Sequence, residues 1–410
     1  MNMSIRYSFI IFTICLCPFV CFADNISDLK HKADWNNDTW SQNKLGLCYE
    51  MGEGVEKDLE EAKRWFLKAA NNGYEYSQYN LGRLYLNGSF GSVDKSEGMK
   101  WYEKAASNYH STACLFMGKC YLNGDNVQSN QVKALNYFKD AAYAGNSEAM
   151  HCMGYCYAMG KGTPVDSIRA LIWFDRAIEN DYTFSYFWKG YMYENGYAVA
   201  KNLRDAAYFY GVGADKGDSD CQQALGVCYA NGIGVDIDNV QARLYLEQSA
   251  NNNNSVAQRI IGIYYRDGKV YQKDINLAIE WLSKAAENGD GISCSNLCSI
   301  YDDLNDEQNL FKYAKKGADL GNVNCINRLA YCYAKGTGIK KNHNKAIEII
   351  DHAISLAPSN PNYLDSKGEI FFIKKDYKSA RIWWERVKIM APNFYIENPE
   401  SVLNDFFKSK

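Results

Sequence analysis

The chain has 410 residues, with 45 basic against 48 acidic side chains and a formal charge of −3. Lysines are scattered among the acids, so no basic face is set aside for nucleic acid or anionic lipid, and neither is expected as a partner. Tyrosine is abundant (32) and proline scarce (6), a mixture suited to helices that pack through aromatic rings.

At the start, Arg6 precedes "YSFIIFTICLCPFVCF", an uncharged run of 16 residues that ends beside Ala23. A helix needs about 20 residues to cross the hydrocarbon of a bilayer. The run therefore reads as a signal peptide over 1–23, cleaved near Ala23/Asp24. The mature chain, from 24, is expected to be periplasmic or secreted, monomeric and not inserted in the membrane. Three of the 14 cysteines leave with the leader, and the remaining 11 cannot all pair within one chain.

A motif then recurs: "LGLCYEMGEGV" at 45–55, "LGRLYLNG" at 81–88, "MGKCYLNG" at 117–124 and "MGYCYAMGKG" at 153–162. It returns as "LGVCYANGIGV" at 225–235, "IGIYYRDG" at 261–268 and "LAYCYAKGTGI" at 329–339. Its anchor glycines, Gly46, Gly82, Gly118, Gly154, Gly190, Gly226 and Gly262, stand 36 residues apart. Such a period means a solenoid. Without a Cβ the anchor lets another helix approach closely. Three residues later comes a tyrosine (Tyr49, Tyr85, Tyr121 and onward to Tyr333), expected in the core. Six later a glycine (Gly52 through Gly336) is placed to end the first helix in the left-handed region. Twelve later Asp58, Asp94, Asn130, Asp166, Asn202, Asp238, Asp274 or Asn342 is placed to cap a second helix. That helix carries a ring pair such as Trp65/Phe66 or Tyr137/Phe138 and ends in small residues, Ala69/Ala70 through Ala285/Ala286. Each repeat is thus helix A, a glycine loop and helix B, and only stacking buries their apolar faces.

The grammar "LGxxYxxGxGVxxDxxKAxxWxxKAAxxG" resembles the Sel1-like repeat family, relatives of the tetratricopeptide repeat. "EAKRWFLKAANNG" at 61–73 and "AIEWLSKAAENG" at 278–289 match its second helix. The resemblance covers about 35–356. It implies an all-α, right-handed superhelical solenoid of about nine helix–loop–helix repeats that binds other proteins, often in bacterial envelopes or secretions. The solenoid domain is expected over 24–356. An eighth repeat at about 290–321 departs from the pattern: Cys298 replaces the anchor, Leu304 replaces the capping glycine, and four residues are missing. Past 357 the period shortens. Pro358 and Pro392 lie 34 residues apart, resembling one tetratricopeptide unit, and Asn398–Phe407 reads as a capping helix, completing a C-terminal region over 357–410.

Chemistry is sparse. His31, His110, His151, His343 and His352 form no metal-ligand spacing and read as surface residues. "GYCYAMGKGT" fails as a phosphate loop, because its glycines are one residue too far apart and Gly162 stands where a Ser or Thr is required. Some cysteine-rich relatives are linked to β-lactams, and Ser27–Lys30 and Ser41–Lys44 match SxxK. The companion SDN and KTG motifs are absent. The bridge of those relatives joins the end of helix B to the next helix A, and the helix-B position here is alanine, as at Ala70 and Ala106. The cysteines therefore read as small buried hydrophobes. No enzyme, cofactor or metal is expected. The reading is a protein-binding scaffold acting in host interaction, in virulence or as a toxin-neutralising immunity protein. Alternatives are a β-lactam-interacting enzyme or a eukaryotic secretory-pathway adaptor, for which Asn25, Asn37 and Asn253 supply glycosylation sequons.

The stretch "DYTFSYFWKGYMYENGY" at 181–197 concentrates the rings. Trp188 and Tyr191 flank the anchor Gly190 at −2 and +1, three residues apart and so on one helix face. Phe116 and Tyr155 occupy the same columns. The face of helix A holding these columns is expected to line a concave groove, with Phe116, Tyr155, Trp188 and Tyr191 at the centre of the partner site.

Overall fold

Side-chain caps mark the start of most helices. The structure, a computed structural model, describes residues 26–394. The leader and the capping helix at 398–407 lie outside them. The chain divides after Tyr182 into two compact bodies. In the first, α1 (Ile26–Trp35) precedes four pairs: α2 (Thr39–Met51) and α3 (Leu59–Asn71), α4 (Glu75–Leu86) and α5 (Lys95–Ser107), α6 (Ser111–Asn123) and α7 (Gln131–Tyr143), α8 (Ser147–Met159) and α9 (Ser167–Glu179). The second holds six pairs. The first three are α10 (Ser185–Asn195) and α11 (Leu203–Asp215), α12 (Ser219–Asn231) and α13 (Asn239–Asn251), α14 (Ser255–Asp267) and α15 (Ile275–Glu287). The last three are α16 (Gly291–Asp303) and α17 (Glu307–Asp319), α18 (Val323–Lys335) and α19 (His343–Leu356), α20 (Pro361–Ile373) and α21 (Tyr377–Met390). Among the described residues there are helices and no strands, consecutive pairs packing as repeats: an all-α solenoid. No described helix is long and apolar enough to cross a membrane.

The caps behave as their chemistry demands. Asp58, Asp94, Asn130, Asp166, Asn202, Asp238, Asp274 and Asn342 each accept a backbone N–H at the start of a helix B. A second set opens the A helices: Asp38, His110, Asn146, Asp218, Asn254, Asp290, Asn322 and Asn360. In repeats two and five this column holds Tyr74 and Tyr182, and neither supplies a side-chain cap. Helix α10 starts three residues later with no side-chain cap, and the two bodies meet in sequence at this point.

Packing explains the anchor. A Cβ on Gly118 would lie 2.5 Å from Phe138, and one on Gly46, Gly154 or Gly190 would come as close to Phe66, Phe174 or Tyr210. The second ring of helix B, 20 positions on, occupies the missing side chain's space. Leucine serves as well in repeats six and seven, where a Cβ on Gly226 or Gly262 would lie 2.7 Å from Leu246 or Leu282, whereas repeat nine places Ala330 and Ile350 at these positions, both fully buried. In repeat eight the connection between helices is three residues, not seven, and the register falls to 16 positions. Cys298 there is matched by Ala314, and the bulk has changed sides. Repeat ten has the same short connection, with Trp384 against Gly368.

Neighbouring repeats exchange volume in a similar way. Helix B usually offers Ala where the next helix A offers Ala or Ser, as at Ala105 and Ala113. Helices α11 and α17 offer Gly213 and Gly317 instead, and a Cβ on either would sit 2.3 Å from the sulfur of Cys221 or Cys325. All eleven described cysteines are buried.

Two expectations need correction. The tyrosine column is half-buried rather than interior, apart from Tyr301 at 9 % exposure. Its rings stack on the first ring of helix B, Tyr121 on Tyr137 at 5.7 Å and Tyr229 on Tyr245 at 6.0 Å. The preceding column, Cys48, Leu84, Cys120, Cys156, Met192 and Cys228, is the buried one. Nor are all the histidines solvated. His110 is buried, its Nδ1 caps α6 at 3.2 Å and its ring stacks on Tyr79 at 4.7 Å. His151 packs beside Phe174 and Tyr182, and burial, with the charge of Lys119 adding to it, lowers its pKa to about 4.

Candidate functional site

Columns −2 and +1 of the A helices hold the four residues singled out in the sequence. In the first body Phe116 is half-buried and stacks on Tyr102 of α5, ring centroids 4.1 Å apart at 24°. Tyr155 is 8 % exposed, and its hydroxyl is pushed above the ordinary tyrosine pKa by burial. Both therefore spend most of their surface on packing. In the second body Trp188 and Tyr191 are half-buried and meet edge to face at 5.8 Å and 78°, with Tyr197 6.0 Å from Tyr191. Polar bridges tie successive A helices along the same face. Arg83 pairs with Glu50 at 2.6 Å, Lys119 with Glu148 at 2.7 Å, and the buried Asn43 accepts from Ser77 and Asn80.

Within the second body a cavity of about 440 Å³ lies between α16, α18 and α20. Columns −2 and +1 line it through Ser299, Arg328, Tyr331 and Ser366, and column −3 through Ser295, Asn327 and Asp365. Asn324, Asn360, Asn362 and Tyr363 close its upper end, and Cys298 and Cys325 also line it.

Hydrogen bonding is the chemistry available there. Arg328 is held by Asp302 at 2.8 Å. The Tyr363 hydroxyl donates to Asn324 at 2.9 Å and that of Tyr331 donates to Glu369. Asn327 Oδ1 is buried with no partner. The Cys325 thiol stays protonated, its pKa raised by hydrogen bonding to the Cys298 thiol and by burial, so it offers no thiolate nucleophile. No group of three or more metal-ligating side chains gathers among the described residues. The SxxK serine Ser41 is fully buried, its hydroxyl donating to the capping carboxylate of Asp38. Sequence reasoning found the two columns and looked in them for rings. It passed over the asparagines, which carry no motif of their own, Asn360 being also a helix cap.

Two solved structures resemble the chain over most of its length. One is a protective antigen present in uropathogenic Escherichia coli strains displaying an SLR fold, 28 % identical, covering 89 % of this chain and 87 % of that one, with a TM-score of 0.54. The other is a Sel1 repeat protein from Oxalobacter formigenes, 26 % identical over 81 % and 86 % of the two chains, TM-score 0.50. No curated protein matches. The Sel1 repeat model matches residues 41–74, 75–110, 111–146, 147–182, 185–218, 219–254, 255–290, 323–349 and 363–386. It passes over repeat eight, where the anchor and its ring are exchanged, and takes in 363–386, whose spacing reads as tetratricopeptide-like. With most of its length matched in consecutive repeats, the chain belongs to the Sel1 repeat family.

Proposed function

We propose that this protein is an exported, monomeric scaffold without catalytic activity that binds another protein through the face carried by its A helices. The observation that carries the reading is that one pair of columns supplies polar bridges between successive A helices and, in repeats eight to ten, lines a cavity. Rings in those columns that keep part of their surface exposed are the contacts we assign to the partner: Phe116 in the first body, and Trp188 and Tyr191 in the second, with Tyr155 packed beneath its neighbours. Large, rigid rings give much contact area for little entropy lost, as binding hot spots require. The relative from uropathogenic Escherichia coli is described as a protective antigen, which supports a host-facing role for this chain.

The test is affinity capture on the immobilised mature chain, beginning at Asp24, from periplasmic extract and from host secretions. Trp188→Ala with Tyr191→Ala should melt near wild type and lose the captured protein. A collapsed melt with capture intact in the folded fraction would return these rings to the core. Failure of the wild-type chain to retain any protein would end the scaffold reading.

A further inference from the structure

The turns that join helix A to helix B in repeats nine and ten stand side by side on one edge of the second body, and lysines crowd them. Lys335, Lys340, Lys341 and Lys345 surround the turn between α18 and α19, and Lys374, Lys375 and Lys378 the turn between α20 and α21. The Lys374 ammonium donates to Asn344 Oδ1 at 3.5 Å, so the two turns touch. All of these lysines except the half-buried Lys345 are exposed. Three acidic side chains border them, each with a partner of its own. Glu348 pairs with Lys345 at 2.6 Å, and Glu307 of repeat eight accepts from the Gly338 N–H at 3.4 Å. Asp376 caps α21, accepting from the Ser379 backbone at 3.1 Å and hydroxyl at 2.8 Å. Scattered among acids in the sequence, the lysines are gathered when two repeats stack.

The backbone adds a second observation. Lys375 is held at φ 69°, a left-handed conformation that disfavours any residue with a Cβ. Repeat eight has the same short connection and fills this position with Asn305 at φ 55°, a residue that tolerates it. A lysine kept there against backbone preference points to a use for its charge.

We propose that this lysine edge docks the protein on a bilayer rich in anionic phospholipid, as a peripheral contact without insertion. The docking goes beyond the scaffold reading and leaves the A-helix face to the protein partner. All seven cations are lysines. The carboxylates of a protein are best met by the planar fork of arginine, whereas lysine is a point charge suited to a diffuse layer of phosphate headgroups. Tyr377, 49 % exposed between Asp376 and Lys378, supplies an amphipathic ring of the kind that settles at headgroup depth. One such ring beside the lysines is no row of platforms for the bases of a nucleic acid strand.

The test is co-sedimentation of the mature full chain with vesicles of phosphatidylcholine, with and without phosphatidylglycerol. Binding should require phosphatidylglycerol and weaken as salt rises. Each lysine near such a surface is worth about fivefold in binding, so Lys375→Gly should cost about fivefold and Lys340→Gln with Lys341→Gln about 25-fold. Lys375→Gly should melt at or above wild type, because glycine relieves the left-handed backbone, so its loss of binding cannot be loss of fold. Lys95→Gln with Lys100→Gln, on α5 of the first body, changes net charge equally and should bind like wild type. Four results overturn the proposal: no sedimentation with phosphatidylglycerol vesicles, equal sedimentation with neutral ones, unchanged binding by the edge variants, or an equal loss in the α5 variant. Tighter lysine-dependent binding of a polyglutamate peptide or of oligo-dT than of vesicles would also overturn it, in favour of an acidic protein or a nucleic acid. The edge variants should still retain the protein captured in the scaffold assay; its loss together with vesicle binding would assign the edge to that protein instead.

Discussion

Gly118→Ala tests whether the anchor glycine exists to admit a ring. The new Cβ would lie 2.5 Å from Cε1 and 2.6 Å from Cδ1 of Phe138, a side chain with no exposed surface. Neither helix can yield easily, because α6 and α7 pack along their whole length. Overpacking of this kind costs about 1–3 kcal/mol or more. Alanine is the better helix former by about 1 kcal/mol, so propensity alone predicts the opposite sign. We expect the clash, at the upper end of that range, to win, with a net loss of about 1–2 kcal/mol. The decisive variant adds Phe138→Ile, copying the Ala330–Ile350 pair of repeat nine. Phe138→Ile alone should also destabilise, by leaving a void, and the double variant should be more stable than the sum of the two singles by at least about 1 kcal/mol. Urea unfolding supplies the energies. Hydrogen exchange in α6 and α7 supplies a local readout, since solenoids can unfold in parts. If Gly118→Ala is as stable as wild type, or if the two substitutions are additive, the anchor does not answer to the ring and the packing account is wrong.

Three further outcomes follow from single sites. Tyr109 sits at φ 61° with its ring 73 % exposed, in a column where most repeats place glycine, so Tyr109→Gly should raise the urea midpoint by an amount worth about 0.5–1 kcal/mol; a lower midpoint would contradict this. Burial raises the pKa of the capping carboxylate of Asp218 to about 6, so its ionisation opposes folding as pH climbs from about 4 to 6; Asp218→Asn should stabilise by about 1–2 kcal/mol at pH 7 and by almost nothing at pH 4. His151, with its pKa lowered to about 4, contributes stability that is full above about 6.5 and is lost as pH falls toward 4, by up to about 3 kcal/mol. Comparing His151→Gln with wild type at pH 7.5 and 4.5 isolates that term, and an identical pH dependence in both would refute it.

What the sequence made legible was what 36-residue repetition averages out. Gly46 through Gly262, the Asp and Asn caps and the alanine ends of helix B were readable because the same physical demand recurs in each. The depth of Tyr121 and Tyr229 was not, because a helix with rings on two faces gives no unambiguous interior. Cys298 was visible as a departure. Its compensation at Ala314 was hidden, since the missing four residues shift the partner from 20 to 16 positions away. The asparagine-lined cavity was least legible, being assembled from three repeats by residues that each look like ordinary surface. His110 misled for the same reason: its neighbours Tyr76 and Tyr79 lie more than 30 positions earlier.

The glycine–cysteine exchanges at Gly213 with Cys221 and Gly317 with Cys325 bear on how such an array can evolve. Where both sides of a seam carry small residues of similar size, as at Ala105 and Ala113, modules are interchangeable parts, and duplication or loss of one leaves seams that still close. At the two exchanged seams they are not. A module ending in alanine, moved in front of Cys221, would drive a methyl group into a sulfur atom, and one ending in glycine in front of Ala113 would leave a hole. Unequal crossing-over should therefore add or delete repeats readily near the start of the chain and be purged around repeats five, six, eight and nine, which fixes the order of that stretch by shape alone.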